Sequence, residues 1–265
     1  MSAIKEEGGT GSVTGSGPAI GLLLTEPVRG LTGFAALPLA AAWLASAPRG
    51  DGHGVLVIPG LLGSDFSTSV LRRFVGRLGY RADGWHLGRN RGPTQRVIDE
   101  LPRELHALAD RTGGPVSLVG WSLGGIYARE LARRHPAQVR QVITLGSPFA
   151  LTDARQSHAD RAYRRRARLH APGLPTPEQV ARPIGVPSTA VYSRYDGIVA
   201  WQACICSETT LHENVEVRCA HLGFGTDPAT LWVIADRLAA SVERQVRFSP
   251  PPHMRSQYPG RQAAP

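Results

Sequence analysis

Lysine is almost absent from this chain of 265 residues, whereas arginine is abundant. Lys5 is the only lysine among 30 basic residues, and 21 acidic residues leave a formal net charge of +9. The arginines are scattered, and they form no basic stripe with interleaved aromatic residues of the kind that binds nucleic acid. Together with abundant Ala, Gly and Pro, the skew indicates a codon bias toward arginine. We therefore expect no nucleic-acid partner.

Cysteine is scarce as well, with only Cys204, Cys206 and Cys219 present. No Cys-x-x-Cys pair or matching histidine spacing accompanies them, so the sequence predicts no metal site. An odd number of cysteines argues against a secreted disulfide framework; a reduced protein is favoured, and a Cys206–Cys219 disulfide is the alternative. A glycine-rich phosphate-binding loop is also missing, and we expect no cofactor.

The N-terminus has no basic stretch leading into an apolar core, so it predicts no signal peptide, and we expect a cytoplasmic protein. Residues 30–48 carry no charge, consist mostly of Ala and Leu, and are interrupted by Pro38. A membrane-spanning helix needs about 20 strongly apolar residues, which this segment does not offer. Two interpretations remain: the segment docks on the core of the domain, which is favoured, or it makes peripheral contact with a membrane.

Short apolar runs alternate along the chain with amphipathic helical patterns, which predicts an α/β fold. We expect about six mostly parallel strands with helices on both faces of the sheet. Residues 147–187 break the alternation and are rich in Arg and Pro, which indicates a short lid inserted above the sheet. The predicted strands are 55–58, 80–87, 116–119, 139–145, 189–193 and 214–218, and the last helix is 228–244. The predicted segments are a flexible tail (1–18), a helical segment (19–50), the core (51–146 and 188–247), the lid (147–187) and a second flexible tail (248–265).

One motif, Gly120-Trp121-Ser122-Leu123-Gly124, lies directly after a hydrophobic strand and directly before a helix. In that context Gly-x-Ser-x-Gly is typical of a nucleophile elbow, a sharp turn that lifts a serine hydroxyl to the edge of the sheet. Side chains at Gly120 or Gly124 would collide with the neighbouring strand and helix. The turn also places the hydroxyl of Ser122 at a helix N-terminus, which favours developing negative charge.

On these residues the chain resembles the α/β-hydrolase superfamily, and within it the bacterial serine esterase and lipase branch. The similarity covers about residues 53–245. Five motifs occur in the family's order: Ile58-Pro59-Gly60-Leu61-Leu62-Gly63-Ser64, the elbow, Leu145-Gly146-Ser147-Pro148, Asp196-Gly197-Ile198-Val199, and His221-Leu222-Gly223-Phe224. The resemblance implies an α/β-hydrolase fold in a minimal version with six strands. Pro59 stands where many lipases have histidine, so a hydrogen-bonding side chain is missing from the first loop.

A serine hydroxyl is a weak nucleophile without a positioned base, and histidine has a suitable pKa. Of the nine histidines, His221 lies after the last strand, where the resembled family carries its base. The acid should follow the previous strand, and Asp196 does, which gives the order Ser122, Asp196, His221. Asp153, after an earlier strand, is the alternative acid. Asp227 is too close to His221 in sequence to be a comfortable choice.

The tetrahedral intermediate needs hydrogen-bond donors for its oxyanion. We predict the backbone N–H of Leu123, next to the nucleophile, and that of Leu61, at the end of the first strand. The side chains of Leu61, Leu62 and Leu123 would then wall a substrate pocket with hydrocarbon, an interpretation compatible with plain core packing. Trp201 is a further candidate for the pocket, because it follows Asp196 closely.

The sequence thus predicts a carboxylic ester hydrolase acting on a small-molecule or lipid ester. An acyltransferase or thioesterase with the same triad is the first alternative, and a non-catalytic protein that binds an acyl ligand or a partner is the second. The densest basic run, residues 160–168, is either a solvated face of the lid or a surface that attracts anionic substrates or membranes. The sequence makes no prediction of the oligomeric state.

Overall fold

The computed structural model describes residues 17–240 and 246–259, and its centre is a parallel sheet of six strands. The strands are β1 (Gly54–Ile58), β2 (Arg81–Asp83), β3 (Val116–Trp121), β4 (Val139–Leu145), β5 (Ser188–Tyr192) and β6 (His212–Glu216). Their order in the sheet is β2-β1-β3-β4-β5-β6, and every neighbouring pair is parallel. The six-stranded parallel sheet predicted from the sequence is confirmed.

Helices cover both faces of this sheet because its central strands are apolar on both sides. In β1, Val55 and Val57 pack into one hydrophobic cluster, and Leu56 and Ile58 pack into the other. The long helices are α1 (Ile20–Ala45), α2 (Ser69–Arg77), α3 (Gln95–Thr112), α4 (Leu123–Arg134) and α7 (Pro228–Ala239). The first cluster joins the sheet to α1, α2 and α7, and the second joins it to α3 and α4.

The second strand is shorter than the predicted 80–87, since only Arg81–Asp83 pairs with β1. The reason is the carboxylate of Asp65, which accepts the backbone N–H of Trp85 (2.9 Å) and of His86 (3.1 Å). These two donors are thereby drawn away from the sheet. The chain leaves the edge of the sheet two residues after the strand begins to pair.

Helix α1 packs against the turn that contains His221 and against α7, and its other side is exposed. It is the one helix in the described part of the chain that is long and apolar enough to cross a membrane, with a mean hydropathy of 1.4 over its most apolar 18 residues. The exposed side carries large apolar residues, with Leu24, Val28, Leu31 and Leu39 each about 70% exposed or more.

The segment predicted as a lid lies between β4 and β5 and contains two short helices, α5 (Asp160–Arg164) and α6 (Pro177–Ala181). Its start is fastened by Gln156, whose side-chain oxygen accepts the backbone N–H of Thr152 (2.8 Å) and Asp153 (3.1 Å). Its end is fastened by Arg129 of α4, which lies under the ring of Phe149 and donates to the carbonyl of Arg182 (2.8 Å).

The prediction of a flexible C-terminal tail over residues 248–265 is wrong for the part described, 248–259. Phe248, Met254 and Tyr258 are buried, and the Tyr258 hydroxyl donates to the carbonyl of Ala229 (2.9 Å). These few apolar side chains, widely spaced in a Pro-rich stretch, cover the outer side of α7 and so order a segment whose composition suggests disorder. Of the predicted N-terminal tail, residues 1–16 lie outside the described residues, as do residues 241–245 of the predicted last helix and the end of the chain from residue 260.

The three cysteines are free thiols, so the Cys206–Cys219 disulfide is not formed. Burial raises the pKa of the thiols of Cys204 and Cys219 well above the ordinary value. Both side chains therefore act as small apolar groups of the core rather than as nucleophiles.

Candidate active site

Ser122 lies between the end of β3 and the first residue of α4, with a φ of 53° and a ψ of −121°. A residue other than glycine rarely adopts a positive φ, so this backbone conformation is strained. The strain is held by the sheet, because the Ser122 N–H donates to the carbonyl of Leu145 at the end of β4 (2.8 Å). Ser122 lies at the N-terminus of α4 and is only 9% exposed.

The glycines around Ser122 are required by close backbone contacts. A Cβ at Gly120 would lie 2.4 Å from the carbonyl oxygen of Gly124, and a Cβ at Gly124 would lie 2.3 Å from that of Ile58. A Cβ at Gly125 would lie 2.0 Å from Ser147 Oγ. Close packing of the elbow within itself and against the ends of β1 and β4 therefore excludes a side chain at all three positions; the motif predicts this for Gly120 and Gly124.

A buried pair, Asp196 and His221, lies at the same end of the sheet. His221 Nδ1 is 2.6 Å from Asp196 Oδ2, and the other carboxylate oxygen accepts the backbone N–H of Ile198 (2.8 Å) and of Val199 (2.7 Å). Both side chains are almost fully buried. Because the carboxylate holds Nδ1 as a donor, Nε2 of the neutral imidazole is the nitrogen left to act as a base.

A close approach at Gly146 and one hydrogen bond tie this pair to the turn at Ser122. A Cβ at Gly146, directly after β4, would lie 3.0 Å from Asp196 Oδ2 and 3.1 Å from His221 Nδ1. The indole N–H of Trp121 donates to the carbonyl of His221 (3.1 Å). The strand that leads into Ser122 and the loop that carries His221 are therefore joined by a direct hydrogen bond.

The loops of the acid and the base are also joined to each other by Ser193. Its hydroxyl donates to the carbonyl of Cys219 (2.7 Å) and accepts the N–H groups of Tyr195 (3.0 Å) and Cys219 (3.3 Å). The hydrogen-bonding capacity of the Ser193 hydroxyl is therefore fully used in joining the two loops. The separation of Asp196 and His221 is thus set by backbone as well as by their own contact.

The pKa of His221 results from opposing effects. Burial lowers the pKa of the imidazole, but the negative charge of Asp196, the hydrogen bond to it, and the charge of Glu26 raise it, and the net result is a pKa above the ordinary value. A protonated His221 is therefore stabilised by its surroundings. That property suits a group that must hold a proton transiently.

Ser122 borders a cavity of about 860 Å³ that extends under the lid. Its walls come from α3, α4 and the lid segment, and they are largely apolar, with Val97, Leu101, Ile126, Tyr163 and Leu174 among them. Leu61 and Leu123, which were predicted beside the nucleophile, also line this cavity. Ser122 borders this cavity and His221 does not; the side-chain hydrogen bond of the His221 ring among the described residues is the one to Asp196, so Ser122 and His221 are not hydrogen-bonded to each other.

The loop after β1 brings Leu61 close to Ser122. A Cβ at Gly60 would lie 3.0 Å from the Cβ of Ser122, which shows how closely the two turns approach. Asn90 is fully buried and fixes this loop. Its side-chain amide donates to the carbonyl of Pro59 (2.9 Å), and its backbone carbonyl accepts the N–H of Leu62 (2.7 Å). With the Leu62 N–H occupied, the N–H of Leu61 is the one that remains at this turn.

Two predicted pocket residues lie elsewhere. Leu62 is 41% exposed, has a φ of 65° and does not border the cavity. Trp201 is also outside the cavity lining; it stacks on Tyr192 with ring centres 5.8 Å apart and lies beneath the guanidinium of Arg194. Leu62 is therefore partly in solvent rather than in the cavity wall, and Trp201 packs in an aromatic stack with Tyr192.

The alternative acid, Asp153, is not near His221 in its contacts. It caps a short turn of the lid, accepting the N–H of Arg155 (2.8 Å) and pairing with the Arg155 side chain (2.6 Å). Hydrogen bonds from Arg155 lower the pKa of Asp153 to about 2. Asp227 instead caps α7 through Thr230 (2.8 Å). Among the described carboxylates, Asp196 makes the contact expected of the acid.

Sequence reasoning missed two residues of this region, Asn90 and Glu26. Asn90 sits in a turn-rich stretch that gives no periodic signal. Glu26 is more visible in retrospect, since Glu26 and Arg29 are the only charged residues between positions 8 and 48. A single carboxylate in so apolar a helix, with arginine three residues later, marks a buried ion pair.

Comparison with known proteins agrees with this geometry at the level of the fold. No family model matches the chain. Over 49 residues, 18% of this chain, it is 43% identical to the biotin biosynthesis bifunctional protein BioHC of Teredinibacter turnerae, of which the match spans only 9%.

Solved structures resemble this chain over most of its length. Metagenome-derived lipolytic enzymes, LipS and LipT, are represented by a structure with a TM-score of 0.52 and 16% identity, covering 75% of this chain and 96% of that one. Lipase B of Aspergillus fumigatus has a TM-score of 0.50 and 18% identity over 76% of this chain, which spans little more than half (57%) of that lipase. Such likeness at low identity concerns the fold, and with the sheet order and the elbow it leads to one conclusion: the chain has the α/β-hydrolase fold.

Proposed function

We propose that this protein is a serine hydrolase that cleaves carboxylic esters, with Ser122 as nucleophile, His221 as general base and Asp196 as the acid that orients the base. The observation that carries the proposal is the strained turn at Ser122, which places the serine beside an apolar cavity of about 860 Å³. The buried pair of Asp196 and His221, 2.6 Å apart and bonded to the same strand end through Trp121, supplies the base.

The proposed reaction begins when Ser122 Oγ attacks the ester carbonyl carbon while its proton moves to His221 Nε2. The carbonyl becomes a tetrahedral oxyanion. Its collapse breaks the bond to the alcohol oxygen, which takes the proton back from His221 and leaves an acyl group on Ser122. Water then repeats the two steps, releasing the carboxylic acid and restoring the hydroxyl. The negative charge of Asp196 stabilises the imidazolium in both halves.

The oxyanion is held by the backbone N–H groups of Leu61 and Leu123. Leu123 is the first residue of α4, so its N–H has no acceptor within the helix. Neither N–H has another backbone acceptor among the described residues, which leaves both free for a developing negative charge. Donors that are already in place lower the barrier without reorganisation. Asn90 acts behind Leu61 by fixing the loop.

The substrate is an ester with a large apolar acyl or alcohol group. A cavity of about 860 Å³ with mostly apolar walls is in the size range that encloses a ligand of several tens of atoms. The proposed steps use only groups of this chain, so no cofactor is part of the mechanism. An acyltransferase or a thioesterase would use the same first half-reaction and differ in the acceptor of the acyl group or in the leaving thiol.

Labelling by a fluorophosphonate tests the proposal, because the probe phosphonylates an activated serine. We expect the wild type to be labelled and to hydrolyse p-nitrophenyl esters, and Ser122→Ala to lose the label and about 10⁴-fold in kcat while keeping its fold. Ser117→Ala is the matched control, since Ser117 also contacts a histidine, His53 (2.8 Å), but lies fully buried within β3.

Labelling of Ser122→Ala, or turnover by it close to that of the wild type, would disprove the assignment of the nucleophile. The products distinguish the related activities. Ester formation with an added alcohol would indicate acyl transfer, and faster cleavage of a thioester than of the matching ester would indicate a thioesterase. A protein that takes neither label nor substrate would be a binding protein.

We further propose that the outer face of α1 contacts a membrane surface peripherally. The support is the row of exposed apolar side chains, which includes Leu24 (74% exposed), Leu31 (68%) and Leu39 (86%), on a helix whose only charged residues, Glu26 and Arg29, are turned to the protein. An apolar face of this kind can lie in the interface of a bilayer. Such contact would bring lipid esters to the protein.

A further inference from the structure

A carboxylate far from Ser122 in sequence holds the loops of both His221 and Asp196. Glu26, in α1, is 1% exposed. Its Oε1 accepts the backbone N–H of Gly197 (2.7 Å) and of His221 (3.0 Å), and its Oε2 accepts that of Leu222 (3.0 Å). Gly197 directly follows Asp196. The Glu26 side chain therefore hydrogen-bonds to the backbone of both the loop that carries Asp196 and the loop that carries His221.

Arg29, one turn later in α1, adds hydrogen bonds to Glu26 and to the loop that carries Asp196. Its guanidinium donates to Glu26 Oε1 (3.2 Å), to the carbonyl of Leu22 (2.7 Å) and to the carbonyl of Tyr195 (2.7 Å), the residue before Asp196. The contacts of Glu26 are all with donors, a set that an ionised carboxylate satisfies and a neutral acid or amide does not. Close packing accompanies the hydrogen bonds, because a Cβ at Gly30 would lie 2.9 Å from the Cβ of Leu222.

We propose that Glu26 is a positioning residue of the active site, which fixes the distance between Asp196 and His221 through the backbone and supports the imidazolium by its charge. The inference rests on the proposed function for its kinetic consequence. Helix α1 is then a part of the catalytic framework, and a displacement of the helix would be transmitted to the imidazole through these hydrogen bonds. Small misplacements of a catalytic group can cost a large part of the rate.

The charged groups that face His221 are few, which makes the effect of Glu26 measurable. Asp196 faces the imidazole from the loop after β5, Glu26 from α1, and Arg29 stands behind Glu26. The thiols of Cys204 and Cys219 also lie near Asp196, but burial raises the pKa of both thiols and keeps them neutral. Removal of the charge of Glu26 should therefore lower the pKa of His221, because one of the two negative charges that raise it is lost.

The test compares Glu26→Gln, Glu26→Asp and a control variant, Glu213→Gln. Glutamine places an amide donor against a backbone N–H, so we expect kcat to fall about tenfold to a hundredfold while KM changes little, since Glu26 does not line the cavity. Asp keeps the charge but is one methylene shorter; it should lower kcat with little change in the pKa of His221. Glu213, a buried carboxylate that pairs with Arg237 (2.8 Å) and accepts the N–H of Phe248 (3.0 Å), controls for loss of stability.

Two readouts make the result decisive. The acidic limb of the pH profile of kcat/KM should move to lower pH in Glu26→Gln only, and NMR titration of the His221 ring should show the same shift without any substrate. If Glu26→Gln keeps the wild-type kcat and titration, or changes only the melting temperature as Glu213→Gln does, the inference is overturned. If instead Ser122→Ala proves active, the proposed function fails, and the NMR titration still decides whether Glu26 acts on His221.

Discussion

Replacement of Asp196 by asparagine tests the proposed mechanism at the contact that orients the base. The two side chains have nearly the same shape, so the fold should tolerate the change. In the protein Oδ1 of Asp196 accepts the N–H of Ile198 (2.8 Å) and of Val199 (2.7 Å), and Oδ2 faces His221 Nδ1 at 2.6 Å. Asparagine has one oxygen and one amide group, so it can satisfy only part of this set.

The two backbone donors decide which way the asparagine turns. With its oxygen on the N–H groups of Ile198 and Val199, its amide points at His221 Nδ1 and donates to it. The imidazole must then carry its proton on Nε2, where it cannot accept the proton of Ser122. We expect a loss of about 10⁴-fold in kcat/KM, or about 5.5 kcal/mol of transition-state stabilisation, as for other triads with the wrong tautomer.

The pH profile gives a second measurement on the same variant. Burial lowers the pKa of His221, and in the wild type the charges of Asp196 and Glu26 outweigh it. Without the charge of Asp196, burial is opposed only by the charge of Glu26, so the pKa of His221 should fall and the acidic limb of the residual activity should move to lower pH. The assay is hydrolysis of a p-nitrophenyl ester from about pH 5 to 9. Asp153→Asn, which changes contacts to Arg155 and one position of the cavity wall but none with His221, should cost far less in kcat; the opposite ranking would refute the argument.

Two surface predictions follow from exposed side chains. Replacement of Arg161, Arg165 and Arg168, which are exposed and do not line the cavity, by glutamine should lower kcat/KM for an anionic ester at low salt and leave a neutral short-chain ester unaffected. Exposed charges act on encounter and are screened beyond about 10 Å at 0.1 M salt. Equal behaviour toward both esters would show that this face of the lid is merely solvated. The wild type should sediment with anionic lipid vesicles, and the double variant Leu24→Ser with Leu31→Ser should not. Phe66→Ser, which removes an equally exposed apolar residue outside α1, should still bind, and loss of binding in all variants would contradict a specific role of α1.

The sheet and the elbow were predictable because their causes are local. Each central strand is an apolar run that must be buried on both faces, and β1 is buried along its whole length. The glycines of the elbow exclude side chains because a Cβ at Gly120 or Gly124 would lie within 2.4 Å of backbone atoms. Asp196 and His221 were singled out through the resemblance, because the resembled family carries its acid and base after these strands; the carboxyl ends of parallel strands meet at one edge of the sheet, which brings the two residues together.

The parts that the sequence did not reveal depend on contacts between distant residues. Glu26 is separated from Gly197 by 171 residues and from His221 by 195, and no pattern of periodicity links them. The order of the C-terminal segment was missed for the same reason. Tyr258 packs against α7, where the carbonyl of Ala229 accepts a hydrogen bond from its hydroxyl. Composition predicted disorder there, since it counts apolar residues without regard to the surface that receives them.

A second cluster of serine, histidine and aspartate shows why residue types alone do not make a hydrolase site. Ser117 Oγ lies 2.8 Å from His53 Nε2, and His53 Nδ1 contacts Asp51 Oδ1. Ser117, however, belongs to the regular strand β3 and is fully buried, and Gln141 donates to it as well (3.4 Å), so no substrate carbonyl can reach it.

The pKa values of His53 and His221 also distinguish the two clusters, because they are shifted in opposite directions. Burial lowers the pKa of His53, and the attraction of the half-exposed Asp51, opposed by the positive charge of Arg140, does not restore it. The pKa of His221 is raised instead, since two buried carboxylates act on it. A histidine that resists protonation beside an inaccessible serine is a structural hydrogen-bond partner. We therefore expect the fluorophosphonate to modify one serine per chain, with Ser117→Ala labelled as fully as the wild type; label found on Ser117 by mass spectrometry would contradict this distinction.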